Sequence, residues 1–249
     1  MTKVEIYRQK LKQLKDWEPF LLKESGLPGP RGNIELAQAV AEEGDEALFE
    51  RFLSFGPDKA PTNSPREFLA FCGVLGQGKL LSHGKRGVLH KLRLFAGDPR
   101  WRSREAVAMA LQKFGDTDMD ALLGEMEKWS EGDVWVQRAV AAALCEPRLL
   151  IQQKHAESVL DILDRITASL KDIEDRDSEG FRVLRQALGY CWSVAVVALP
   201  EKGKKMMERW FASEDSDVRW MMRENLKKNR LARTDAKWVE YWKDKLADQ

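Results

Sequence analysis

The stretch Asp98-Pro99-Arg100-Trp101-Arg102-Ser103-Arg104-Glu105 contains a phrase: an acidic residue, a short gap, a bulky residue, then an arginine three positions on. It recurs as Asp133-Val134-Trp135-Val136-Gln137-Arg138, in degenerate form as Arg182-Val183-Leu184-Arg185, and as Asp217-Val218-Arg219-Trp220-Met221-Met222-Arg223-Glu224. Arg104, Arg138, Arg185 and Arg223 are separated by 34, 47 and 38 residues. Such intervals belong to two-helix repeat units, each of which buries its apolar face only by stacking on a neighbour. The expected fold class is therefore all-α, a right-handed helical solenoid.

The flanking sequence fits that frame. Asp98, Asp133 and Asp217 stand where side chains cap helix starts, predicting helices over about 99–113, 134–145 and 218–229. Partner helices are expected over about 118–129, 155–171 and 201–212. The polar, acidic run 169–180 accounts for the longest interval as an inserted loop. Upstream, Ser64-Pro65-Arg66-Glu67 is a capping box with proline at the first helical position, opening a helix through Phe68, Phe71, Val74 and Leu75. Shorter helices are expected over about 33–43, 45–55 and 84–95. The first segment, 2–24, carries Val4, Tyr7, Leu11, Leu14 and Trp17 on one stripe and ends at the breaker Gly26-Leu27-Pro28-Gly29-Pro30-Arg31-Gly32. Two parts follow: residues 1–25, an N-terminal amphipathic helix serving as cap or arm, and residues 33–249, about five helix pairs. The last of these closes over about 234–247 with Trp238, Tyr241, Trp242 and Leu246.

With 43% hydrophobic and 33% charged residues among 249, the chain belongs with folded globular proteins rather than disordered ones. A formal charge of +1 gives no overall basic excess, so any nucleic-acid footprint must come from local asymmetry. The three cysteines, Cys72, Cys145 and Cys191, lie far apart in sequence among apolar neighbours and read as reduced, buried thiols. The chain has no apolar run of about 18 residues, and its charged N-terminus is unlike a signal peptide. A cytoplasmic location without membrane contact is the expectation.

Most chemical motifs fail on their spacing. Gly73-Val74-Leu75-Gly76-Gln77-Gly78-Lys79 has the spacing of a phosphate-binding loop, but Leu80 stands where a magnesium-holding hydroxyl belongs and no strand precedes it. It reads instead as a glycine-rich helix terminus. His83, His90 and His155 lack ligand spacing, so no metal and no cofactor is expected. The repeated tryptophans have an ordinary role in packing between helices. The repeated arginines have one too, pairing with an aspartate at a neighbouring helix start. Trp101 and Glu105 are different, because four residues apart on a helix they share one face. An electron-rich indole beside a carboxylate forms a receptor for a cation.

The segments 98–105 and 133–138 resemble the core of the HEAT-like alkylpurine DNA glycosylases. Phe181–Trp192 is similar to a third segment of that family, and the likeness spans about residues 85–230. The resemblance implies a HEAT-like solenoid that excises N3- or N7-alkylated purines. By residue it implies Trp101 as cation–π platform, Glu105 as catalytic carboxylate, Arg138 as phosphate clamp and Tyr190 as second aromatic wall. The chain departs from the family's best-known branch with Glu105 for aspartate, Tyr190 for tryptophan and Ser193 for a basic residue. It also resembles bacterial HEAT-repeat proteins, through Arg104–Leu111, Leu188–Ser193 and Arg223–Leu231. In a solenoid the default function is a binding scaffold. Here its concave face would carry Arg104, Arg138, Arg185, Arg219, Arg223 and Lys227 toward phosphates. DNA and a protein partner are equally expected occupants.

Overall fold

A computed structural model describes residues 1–247 as fifteen α-helices with three short 3-10 turns and no strand among the described residues. The all-α class is as expected. No helix among the described residues is long and apolar enough to cross a membrane. The chain divides into two compact units, Met1–Asp118 and Met119–Gln249.

The first unit contains α1 (Lys3–Lys12), α2 (Glu18–Glu24), α3 (Ile34–Glu43), α4 (Glu46–Leu53), α5 (Pro65–Ser82), α6 (Leu89–Phe95) and α7 (Trp101–Thr117). The opening segment, expected as one helix, is two. Thr2 and Glu5 close a reciprocal capping box on α1, and the Trp17 indole N–H donates to the Leu11 carbonyl at 2.9 Å where that helix ends. Pro19 then sits in the first turn of α2, where its missing N–H costs nothing. Both helices are packed in place: α1 lies against α3 and α2 against α5, with Leu11 and Leu21 fully buried.

The centre of this unit is α5, which packs against α3, α4 and α7. Ser64 caps it, its hydroxyl accepting from the Glu67 amide at 3.3 Å. The glutamate does not complete the expected box. Its carboxylate accepts from the Asn63 amide at 2.6 Å and the Arg102 guanidinium at 3.0 Å. The Gly73–Lys79 stretch is not a helix terminus but lies inside α5, because its glycines let neighbouring helices approach. A Cβ on Gly73 would stand 2.9 Å from Phe52 Cβ, one on Gly76 would overlap the Phe49 ring, and one on Gly78 would stand 2.7 Å from the Ala110 backbone.

The second unit contains α8 (Met119–Trp129), α9 (Val134–Leu144), α10 (Gln153–Ser169), α11 (Glu179–Ala198), α12 (Pro200–Phe211), α13 (Ser216–Leu226), α14 (Asn229–Thr234) and α15 (Ala236–Ala247). Two series of neighbours run through it: α9, α11 and α13 side by side, and α8, α10 and α12 side by side, with contacts between the series. The partner helices fall close to their predicted spans. The expected inserted loop is shorter than 169–180, because α10 runs on through Ser169 and Ser178 caps α11. Trp192 is fully buried, its indole N–H donating to Thr167 Oγ1 at 3.0 Å and joining α11 to α10. Trp135 and Trp220 occupy the space that Gly180 and Gly189 leave open between helices.

All three cysteines are free and buried. The fold brings Cys145 and Cys191 together: the Cys145 amide and the Cys191 thiol both donate to the Ala141 carbonyl, at 3.1 and 3.3 Å. Burial pushes the Cys72 thiol well up, and burial with the Cys191 contact does the same to Cys145. Since the thiolate is the nucleophile, the native chain is expected to resist a disulfide-exchange reagent such as DTNB and to release three equivalents only in denaturant. Rapid reaction of Cys72 or Cys145 in the folded chain would contradict this.

Candidate functional site

In the first unit the site is organised by the start of α7. Asp98 does not cap this helix as expected. Its carboxylate instead grips Arg100, accepting from Nε at 2.9 Å and Nη2 at 2.7 Å, and α7 begins three residues later at Trp101. Arg100 is 1% exposed and also donates to the Phe55 and Ala60 carbonyls. Arg104, expected to face phosphates, is buried, its Nη1 donating to the Asp98 and Pro99 carbonyls at 2.8 and 3.2 Å. An arginine folded onto backbone acceptors in this way anchors the turn rather than reaching outward.

Trp101 and Glu105 come together as their spacing predicts. Both line a cavity of about 260 Å³ with Phe68, Phe71, Ile34 and Met109, so its walls are largely apolar. The Phe68 and Phe71 rings lie 6.3 Å apart at 13°. Trp101 is 44% exposed, while Glu105 is half-buried and makes interactions of its own within the protein. Arg31, Gly32 and Arg102 complete the lining. The Arg102 guanidinium lies 4.3 Å from the centre of the Trp101 ring and pairs with the fully buried Glu67 at 3.0 Å. It also donates to the Gly29 carbonyl at 2.6 Å. The contributions of Arg102, Phe68 and Phe71 were not foreseen. The one sequence signal was that Phe68 and Phe71, three apart, share a face of α5.

In the second unit, the other candidates have intramolecular partners. Tyr190 is 44% exposed, but its hydroxyl accepts from Arg230, whose Cζ stands 4.5 Å from the ring centre, with Lys228 Nζ at 5.9 Å. Arg185 pairs with Asp217 at 3.0 Å and lies 4.0 Å over the Trp220 ring. Arg219 donates to the Ser213 and Glu214 carbonyls at 3.2 and 3.0 Å, Arg223 to the Leu246 carbonyl at 2.9 Å, and Lys227 pairs with Glu224. Arg138 is half-buried and also engaged. The Arg185–Asp217 pair is the ordinary role foreseen for the repeat arginines, an anchor at a neighbouring helix start.

Asp217 is not the cap it was expected to be. Asp215 caps α13 instead, accepting from the Asp217 and Val218 amides at 2.9 and 3.2 Å. Arg176, in the short connection before α11, bridges Asp215 at 2.7 Å and Asp217 at 3.0 Å. Its hydrogen bond, aided by the backbone amides and opposed by burial, holds Asp215 below the ordinary carboxylate range. A carboxylate lowered in this way stabilises the fold above its unfolded pKa, and that stability is lost as pH falls through the folded value. Asp215→Asn keeps a capping oxygen but not the charge. The variant is expected to lose less Tm than the parent between about pH 5 and about pH 2. Parallel Tm–pH curves would show that the pair carries no linkage.

Among the described residues, no group of three or more His, Cys, Asp or Glu is placed to hold a metal ion. Compared with family models, curated proteins and solved structures, the chain matches none.

Proposed function

We propose that this chain is a cytoplasmic HEAT-like solenoid and a binding scaffold, whose surface at the half-exposed Trp101 holds a macromolecular partner, DNA or protein. The serial packing of α9, α11 and α13 against α8, α10 and α12 supports the repeat architecture. The observation that carries the binding reading is the apolar cavity at Trp101 and Glu105, open beside a half-exposed indole. Concave, largely apolar sites with a few polar groups are where projecting ligand groups are held. The interactions already made by Glu105 favour a positioned binding group over a carboxylate kept available for chemistry.

A second reading, removal of N3- or N7-alkylated purines, draws on the same juxtaposition of indole and carboxylate. In it Glu105 would stabilise the oxocarbenium-like sugar as an already cationic base departs. One experiment separates the two: labelled duplexes with and without N7-methylpurine are incubated with the wild type and Glu105→Gln. Anisotropy reports binding, and chromatography reports free base. The scaffold reading expects binding by both proteins without base release. Release by the wild type alone would make the chain a glycosylase. DNA binding is expected to weaken about tenfold or more between about 50 and about 200 mM salt, as phosphate contacts require. No DNA binding even at low salt would leave a protein as the partner.

A further inference from the structure

We propose that Tyr190, Lys228 and Arg230 form a binding site for a single phosphomonoester group, separate from the cavity at Trp101. The packing of the second unit assembles it. Tyr190 lies on α11 and is 44% exposed, and α14 packs against that helix. Fully buried Asn225, near the end of α13, accepts from the Ser193 amide and donates to the Leu188 carbonyl, both at 2.8 Å. It pins the chain to α11 on either side of Tyr190. The Lys228 amide donates to the Asn225 carbonyl at 2.9 Å, and Leu231, three residues on, is buried. With the backbone held at both points, the side chains between them meet the phenol ring. Arg230 Cζ stands 4.5 Å and Lys228 Nζ 5.9 Å from its centre. Groups positioned by the fold before a ligand arrives lose little entropy in binding it.

The charges at this place select an anion. Lys228 and Arg230 are half-buried, and among the described residues neither is paired with a carboxylate. Partly burying an uncompensated cation is costly, and an incoming anion relieves that cost. Glu224, which packs beside Gly189, is already paired with Lys227. Arg230 donates to the Tyr190 hydroxyl oxygen. A phenol that accepts there keeps its own proton to donate, and no acceptor for it lies among the described residues. The phenol O–H, the ammonium and the remaining guanidinium N–H groups thus offer donors to one ligand.

The same inventory favours a phosphomonoester. It brings close to two negative charges at neutral pH and three acceptor oxygens on one atom, which suit two cations and three kinds of donor. A carboxylate or a sulfate ester brings a single charge. A nucleic-acid backbone needs a row of cations free to meet successive phosphates. Here Arg185, Arg219, Arg223 and Lys227 already hold carboxylates or carbonyls. Arg233, exposed one turn further along α14, adds to the attraction without touching the ring.

The test titrates the full chain calorimetrically, in phosphate-free buffer at constant ionic strength, with phenyl phosphate and with phenyl sulfate. Phenyl phosphate is expected to bind about tenfold more tightly at about pH 7.5, where it carries its second charge. Below its second pKa of about 6 that advantage should disappear, while the sulfate ester binds equally at both pH values. Arg230→Gln and Lys228→Gln should each weaken phosphate binding about tenfold, and Tyr190→Phe several-fold. Arg230→Lys, which keeps the charge, should retain intermediate binding. Lys171→Gln removes one exposed charge elsewhere in the unit and should change nothing. Circular dichroism is expected to show every variant folded, since the three site side chains are all partly exposed. Equal affinity for the two esters, or no change with pH, would overturn the phosphomonoester assignment. Equal losses in Arg230→Gln and Lys171→Gln would overturn the site and leave only the field of the whole chain.

Glycerol 3-phosphate and a phosphoserine peptide, each beside its dephosphorylated form, then report whether the group arrives on a small molecule or on a protein. Preference of either for its phosphorylated form supports the site, and the tighter of the two names the source. An oligonucleotide without a terminal phosphate that displaced phenyl phosphate more strongly than these would overturn the single-phosphate reading in favour of a nucleic-acid surface. Failure of phenyl phosphate to bind, with DNA or protein binding at Trp101 intact, would overturn this proposal and leave the scaffold reading standing.

Discussion

Arg102→Ala is expected to destabilise the first unit by about 3 to 5 kcal/mol, the usual loss when one partner of a buried ion pair is removed. Glu67 is fully buried, and its Oε2 accepts both the Arg102 guanidinium and the Asn63 amide. Without Arg102 that carboxylate would be left with a single neutral donor in an apolar setting, and the Gly29 carbonyl would also lose its donor. For a chain of this size the loss corresponds to a Tm lowered by roughly 6 to 20 °C. Urea unfolding followed by circular dichroism gives the same quantity. Replacing both members, as Arg102→Met with Glu67→Leu, should recover much of the loss, because it removes the stranded charge as well. A shift below about 1 kcal/mol for the single variant would mean that water reaches Glu67. The same arginine lies over Trp101, so loss of the pair should also loosen one edge of the candidate cavity.

Gly78→Ala is expected to cost about 2 kcal/mol or more, although alanine is intrinsically the better helix residue by about 1 kcal/mol. The added Cβ would stand 2.7 Å from both Cα and the carbonyl oxygen of Ala110 on α7. Backbone atoms cannot rotate away as a side chain can, so the two helices must separate and the contact between α5 and α7 must loosen. The check is a melt of the variant beside Gly124→Ala, where an added Cβ meets open space. The control should be neutral or more stable. If both variants behaved alike, close helix approach would not be the reason for glycine at position 78.

Helix existence was legible in the residues because capping and apolar periodicity are local. Ser64 with Pro65, Asp133 and the phrase beginning at Asp98 marked α5, α9 and α7 close to where they lie. Errors arose where an arginine competed with a helix start for a carboxylate. Asp98 binds Arg100 rather than capping α7, and Asp215 displaces Asp217 at α13, because a nearby guanidinium can recruit either carboxylate. Likewise, the glycines of 73–78 suggested a breaker. Only the positions of Phe49 and Ala110 show them to be contact points between helices.

By itself, then, the sequence determined an all-helical chain with most of its helix spans, and it placed Trp101 and Glu105 on one face, since a four-residue helical spacing leaves no other arrangement. The tertiary structure decided what that face meets: the walls from Phe68 and Phe71, the Arg102–Glu67 pair beneath the indole, and the proximity of Cys145 to Cys191. It also decided that Arg104, Arg185, Arg219 and Arg223 are held by carbonyls and carboxylates of their own units. The physical reason is range. Caps and periodicity depend on residues a turn or two apart, whereas the partner of a guanidinium or the wall of a cavity comes from helices tens of residues away, whose packing no local pattern encodes.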